Sequence, residues 1–158
     1  MCAPEHFAVE YVINPWMQAG GTVDVELAVK QWTRLREVLA ELGHRVHVLD
    51  PEPGLPDMVF AANGAFSVGG TVYSARFRYS QREGEALRHR DWYRHDPGWR
   101  YVEAAEVNEG EGDFAYVPGA RGTLPDTAEV HRPGGGTAAG LVKKAGGSVK
   151  CCIAELRR

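Results

Sequence analysis

The sequence predicts an α/β fold, on three observations. A β-rich opening, a strongly periodic helix and a second alternating segment follow one another within the first 50 residues. A Gly-Gly pair then separates two apolar runs as a hairpin would. After a polar helical stretch, short β-rich pieces return. Strand-like and helix-like periods alternate along the chain, and that alternation is the signature of mixed α/β layers.

FAVEYVI (7–13) is rich in β-formers and ends at Asn14-Pro15, so it is read as a strand closed by a turn. Residues 24–42 are the clearest helix. Ala28, Trp32, Leu35, Leu39 and Leu42 recur at spacings of four and three, Thr22 or Asp24 can cap the start, and Gly43 ends it. HRVHVLD (44–50) alternates as a second strand before Pro51 and Pro53, which makes the opening a βαβ-type unit. Met58 to Phe60 reads as another strand, and Gly69-Gly70 as a hairpin into TVYSARF (71–77). SQREGEALRHRDWYRH (80–95) is helical in period but so polar that it is placed on the surface, and RYVEA (100–104) and GDFAYV (112–117) are short strand candidates.

Residues 119–140 have few large apolar side chains, two prolines and a Gly triplet, and are read as a loop or linker. Regular structure is expected to resume with a brief helix at LVKKA (141–145) and a terminal strand, SVKCCIAEL (148–156). On a strand, Val149, Cys151 and Ile153 would share one face and Cys152 the other, so the adjacent thiols would point apart.

Composition narrows the function classes. The 158 residues suit one domain with a real core, and a net charge of -3 gives no polyanion-binding signature, so nucleic acid is not an expected partner. Apolar runs are too short for a membrane span and no signal-peptide pattern opens the chain, so a cytoplasmic, soluble protein is expected. Three cysteines, two of them adjacent, do not make a disulfide framework.

Chemistry concentrates in three segments. LPDMVFAANGA (55–65) sets Asp57 and Asn63 at the ends of an apolar run, where a carboxylate and an amide can accept hydrogen bonds from a planar cation. Asp after Pro and Asn before Gly are equally ordinary turn punctuation. NEGEGDF (108–114) clusters Glu109, Glu111 and Asp113 among glycines, which suits close approach to a ligand, proton transfer to a leaving amine, or simply a solvated turn. GGSVKCC (146–152) offers a thiol nucleophile, or two small buried side chains.

The histidines give no persuasive general base. His44 and His47 fall on a strand read as core, His89 and His95 on a helix read as surface, and His6 near the terminus, while His131 sits in the atypical loop. Neither HExxH nor a Cys/His zinc spacing occurs.

VEYVINPWM (9–17), LPDMVFAANGA, EGEGDF (109–114) and GGSVKCC, in that order, resemble the guanidino-modifying superfamily of pentein-fold enzymes, and most of all its bacterial dimethylargininase-like branch. The resemblance covers about residues 1–118 and 138–158. It implies an incomplete pentein, an α/β-propeller-like repeat of ββαβ modules: N-terminal modules at 1–118, an atypical loop or linker at 119–137, and a C-terminal helix-strand piece at 138–158. The implied activity is hydrolysis of the guanidino C–N bond of arginine or an N-methylated arginine. Cys151 matches the nucleophile and Glu109 the glutamate of the acidic glycine motif, with Glu111 as the alternative. Asp57 matches the acid that opens the family's PDxVF segment, Asn63 the position, usually aspartate, that grips the guanidinium, and Arg76, or else Arg78, the arginine that holds the substrate carboxylate; Glu109, Asp57 and Asn63 are expected to position and polarise the guanidinium. No metal or cofactor is implied. A small-molecule guanidino substrate is the expected partner, and the open edges of an incomplete ring invite a homo-oligomer. The central part that carries the family's catalytic histidine has no counterpart here, so an inactive truncated remnant stands as one alternative; an amidinotransferase, which differs only in whether an amine or water resolves the intermediate, is another.

Overall fold

The computed structural model describes residues 1–15, 17, 20–114 and 149–156, and these fall into two compact units. The first unit holds residues 1–61 and 149–153, the second 62–114 and 154–156. The expected loop at 119–137 and the helix at 141–145 lie outside the described residues.

The first unit is built on α1, Val25–Glu41. Its start is fixed as the sequence indicates, since the Asp24 carboxylate accepts from the Leu27 amide at 2.9 Å and satisfies one of the orphan donors of the first turn. The apolar stripe is only half used. Ala28 and Trp32 are buried, Leu35 and Leu39 are half-buried, and Leu42 is 69% exposed. The flanking strands of the expected βαβ unit do not form. Residues 7–13 and 44–48 have no strand pairing, and a single parallel bridge, Cys2 with Leu49, joins the two flanks. His44 and His47 are exposed and Val46 and Val48 only half-buried, so the second segment has no apolar face to pin a register.

Met58 to Phe60 is buried as its composition demands but is not extended. Pro56–Val59 is a 3₁₀ turn, held by Phe60 N–H to Asp57 C=O at 2.9 Å and by Met58 N–H to Leu55 C=O at 3.2 Å. Proline at the first position is pre-set for that turn and lacks only an N–H the turn does not need. The core of this unit gathers Phe7, Val59, Phe60 and Cys152, with Val23 and Cys151 packed against it. Phe7 and Phe60 meet edge to face at 5.7 Å.

The second unit carries a three-stranded sheet, β1 (Ala65–Val68), β2 (Thr71–Ser74) and β3 (Arg100–Val102), in that order. The Gly69-Gly70 hairpin makes β1 and β2 antiparallel, with Ala65 opposite Ser74. β2 and β3 are parallel, with Thr71 opposite Arg100, and α2 (Glu83–Arg94) makes the crossover that a parallel pair requires. A core of Ala65, Val72, Tyr93 and Trp99 lies between sheet and helix.

Further expectations are corrected here. α2 is not a surface helix, because Arg82, Glu85, His89 and Tyr93 recur at spacings of three and four and are all buried. Polar residues can supply an inward stripe when they are paired, and hydropathy alone does not see the pairing. The tail is not a strand either: Val149–Cys152 is a 3₁₀ turn, and residues 153–156 follow without strand pairing. Asp113 and Phe114 likewise belong to no strand, and the rest of that candidate lies outside the described residues.

Candidate active site

The acidic glycine segment is held in the second unit by its neighbours' polar atoms. Asn108 is buried and bridges backbone to backbone with Arg76, donating its N–H at 3.0 Å and accepting at 3.1 Å. Its side chain donates to Ser74 and Glu106 carbonyls, each at 3.2 Å, and accepts from the Gly110 amide at 3.0 Å. Gly110 then turns with φ +55° into the 3₁₀ turn Gly110–Gly112. A Cβ there would sit 2.6 Å from the Ala65 carbonyl oxygen and 2.7 Å from that of Ala62, so glycine is required on two counts.

Glu109 emerges half-exposed from this turn. Its N–H donates to the Asp113 carboxylate at 2.7 Å, and its C=O accepts from the Asn63 amide at 3.4 Å. Glu111, the alternative candidate, faces elsewhere and accepts the Glu155 amide at 2.7 Å.

A cation that the sequence reading did not single out lies beside them. Arg82 and Glu85 are 4% and 1% exposed, and the guanidinium donates from Nε and Nη2 to the two carboxylate oxygens at 3.0 and 2.8 Å. This two-point fork fixes the guanidinium plane. The Phe77 ring covers it at 4.3 Å, Nη1 lies 3.5 Å from Glu109, and Nη2 lies 3.5 Å from the Asn63 carbonyl oxygen. So Asn63 and Glu109 are brought together, with Arg82 touching both. The available sequence signal was the i, i+3 Arg–Glu spacing at the start of a helix.

Arg76 is not part of that cluster. It is exposed, and its guanidinium donates to the Ala105 carbonyl. Arg78 is exposed as well.

The first unit holds the other two candidates. Asp57 is buried in the Pro56–Val59 turn and accepts from the Tyr11 hydroxyl at 2.7 Å. Cys151 is half-buried and Cys152 buried, and neither is in a disulfide. Burial, and then the neighbouring Cys151, push the Cys152 thiol up to about 12, which keeps it protonated at neutral pH.

Of the histidines, His6, His44, His47 and His95 are exposed, and His131 lies outside the described residues. His89, expected at the surface, is buried with its ring against Gly64, where an added Cβ would come within 2.2 Å. Burial, helped by the charge of Arg82, lowers its pKa to about 4 and keeps the ring neutral. Among the described residues no three His, Cys, Asp or Glu side chains lie close enough to hold a metal ion, and no helix is long and apolar enough to cross a membrane.

The second unit thus holds a buried amide and a carboxylate beside a fixed guanidinium, and the first a half-buried cysteine. No protein-family profile matches the chain. It is, however, 44% identical over 117 residues to the N(G),N(G)-dimethylarginine dimethylaminohydrolase of Mycobacterium tuberculosis, a match that covers 74% of this chain and 38% of that protein. The bifunctional arginine dihydrolase/ornithine cyclodeaminase ArgZ of Synechocystis is 36% identical over 118 residues, or 73% of this chain and 17% of ArgZ. In structure, the N-terminal domain of ArgZ bound to product superposes with a TM-score of 0.64 at 37% identity, covering 72% of this chain and 42% of that one. A dimethylarginine dimethylaminohydrolase adduct, 24% identical with a TM-score of 0.54, shares the fold. The chain's homologues are thus dimethylarginine dimethylaminohydrolase and the N-terminal domain of ArgZ, proteins of the pentein superfamily, and the chain spans less than half the length of these relatives.

Proposed function

We propose that this chain acts on the guanidino C–N bond of arginine or an N-methylated arginine, through a cysteine nucleophile. The carrying observation is the 44% identity to a dimethylargininase together with the choice the tail offers between two thiols. Cys151 has solvent access, whereas Cys152 is buried and its thiol is pushed up to about 12, which supports Cys151 as the attacking group.

In this reading the Cys151 thiolate attacks the guanidinium carbon, and the C–N bond to the leaving nitrogen breaks as that nitrogen is protonated. Ammonia or a methylated amine departs, leaving a thiouronium on sulfur. Water then adds to the same carbon and expels the thiolate, giving citrulline. Asp57, Asn63 and Glu109 polarise and orient the guanidinium, and Glu109 carries the proton to the leaving amine. Arg76 is the residue assigned by resemblance to the substrate carboxylate. The contacts of Arg82 with Asn63 and Glu109 favour Arg82 as the cation that orders this side of the site. The chemistry calls for no metal or cofactor. The fold is read as part of a ring of ββαβ modules, with modules at 1–118 and 138–158 flanking a linker at 119–137, in a cytoplasmic protein that completes its open edges as a homo-oligomer.

A second reading is an inactive remnant. The described histidines offer no exposed partner of evident catalytic setting, and loss of a general acid/base alone costs on the order of 10²–10⁴-fold. The test is release of citrulline and of ammonia or methylamines from arginine, monomethylarginine and dimethylarginine, with Cys151→Ser alongside. Product from the wild type and none from the variant supports the hydrolase. No product from folded protein supports the remnant, and amidino transfer to an added amine supports the transferase.

A further inference from the structure

Glu111 and Glu109 leave the same turn for different partners. The turn Gly110–Gly112 is closed by Gly112 N–H to Glu109 C=O at 3.0 Å and Asp113 N–H to Gly110 C=O at 3.1 Å. From it the Glu109 carboxylate lies 3.5 Å from Arg82, whereas the Glu111 carboxylate accepts the Glu155 N–H at 2.7 Å. The C=O of Glu155 in turn accepts from the Ser67 hydroxyl on β1, also at 2.7 Å, and Ser67 is itself buried. Leu156 then packs on the core of Ala65, Val72, Tyr93 and Trp99. Both backbone polar groups of one tail residue are thus held by side chains of the second unit.

Cys151 lies four residues before Glu155, along a closed path. Ile153 N–H donates to the Lys150 C=O at 3.0 Å, and the Lys150 ammonium donates to the Ile153 C=O at 3.0 Å. Only Ala154 separates this hydrogen-bonded turn from the anchored residue. A grip on Glu155 therefore restrains the thiol through the backbone.

We propose that Glu111, together with Ser67, is a positioning residue for Cys151: by gripping the Glu155 backbone it keeps the tail that carries the thiol seated. This role rests on the reading of Cys151 as the attacking group. A carboxylate accepting an N–H is a charge-assisted anchor, and its loss should raise the detached fraction of the tail by on the order of 10-fold.

The experiment uses the full chain and reads iodoacetamide modification of Cys152 by peptide mass spectrometry. Cys152 is buried against Phe7, Val59 and Phe60, so its modification reports the tail leaving its seat. Glu111→Ala should speed that modification by on the order of 10-fold, and Ser67→Ala should act in the same direction. Glu111→Gln keeps an oxygen acceptor and should restore the wild-type rate. Gly69→Ala, strained in the same unit but at the β1–β2 hairpin, should leave the rate unchanged. Citrulline release, measured alongside, should lose kcat rather than KM in Glu111→Ala, by on the order of 10–10²-fold, and regain it in Glu111→Gln. A Cys152 rate unmoved by Glu111→Ala, or not restored by Glu111→Gln, overturns the proposal. So does an active wild type whose kcat survives Glu111→Ala intact. A wild type that releases no citrulline overturns the hydrolase reading instead, and the Cys152 rates then decide the seating of the thiols by themselves.

Discussion

Gly110→Ala should be among the most damaging small changes in the second unit, and the cost can be worked from its surroundings. The residue turns with φ +55°, a left-handed conformation that costs an L side chain about 1–2 kcal/mol. Its new Cβ would also stand 2.6 and 2.7 Å from the carbonyl oxygens of Ala65 and Ala62, which are backbone atoms and cannot rotate away. Overpacking of that kind adds about 1–3 kcal/mol. Gly69 supplies the control, because it has the same φ of +55° in the β1–β2 hairpin and nothing within 4 Å of the place a methyl group would take. Gly69→Ala carries the dihedral cost alone. The two variants also gain equally from a stiffer unfolded chain, so that contribution cancels in the difference. Urea unfolding with unchanged m-values should place Gly110→Ala below Gly69→Ala by about 1–3 kcal/mol. A difference under about 0.5 kcal/mol would refute the steric argument, since that is the scatter of inconsequential surface changes.

Three further outcomes follow from the buried polar groups. Glu85→Leu strands the Arg82 cation in the interior and should cost about 3–5 kcal/mol, whereas Arg82→Met with Glu85→Leu should recover most of that in urea unfolding. His89 is held at about 4 against 6.5 in the unfolded chain, so between those values the unfolded state binds a proton that the folded state refuses. Its contribution to stability is full above pH 6.5 and falls by about 3 kcal/mol as pH drops toward 4; His89→Gln should flatten that part of the stability–pH curve, and an unchanged curve would contradict the assignment. At pH 8 a thiol titrating near 12 is thiolate in about one molecule in 10⁴, so iodoacetamide should modify Cys151 well before Cys152, as read by peptide mass spectrometry; equal rates would count against the burial argument.

The parts that were legible in the sequence are those fixed by local chemistry. Asp24 announces the start of α1 because a cap acts within three residues, and Gly69-Gly70 announces the hairpin because only glycine turns so cheaply. Burial of Met58 to Phe60 was legible too, though its shape was not: an apolar run reports that a segment is inside, and Pro56 decided that it is a 3₁₀ turn. The inward stripe of α2 was hidden because Arg82 and Glu85 become core residues only as a pair, and no single-residue scale scores a pair. Within the candidate site, the Asn63 side-chain amide meets the Glu109 backbone carbonyl. Arg76 rests on a likeness of segments to the arginine that holds a substrate carboxylate, and Arg82, six residues further along, is the cation that contacts both Glu109 and Asn63.

The loop around Glu109 has a consequence for how such a chain can change over generations. Its shape rests on the Asn108 side chain, the bend at Gly110 and the Asp113 carboxylate on the Glu109 amide, all of which are indifferent to what side chain residue 109 carries. Inheritance of the loop and inheritance of its carboxylate are therefore separable. A lineage can exchange Glu109 for another residue in one step while the turn stays in place, and a later step can restore it to a scaffold that never had to be rebuilt.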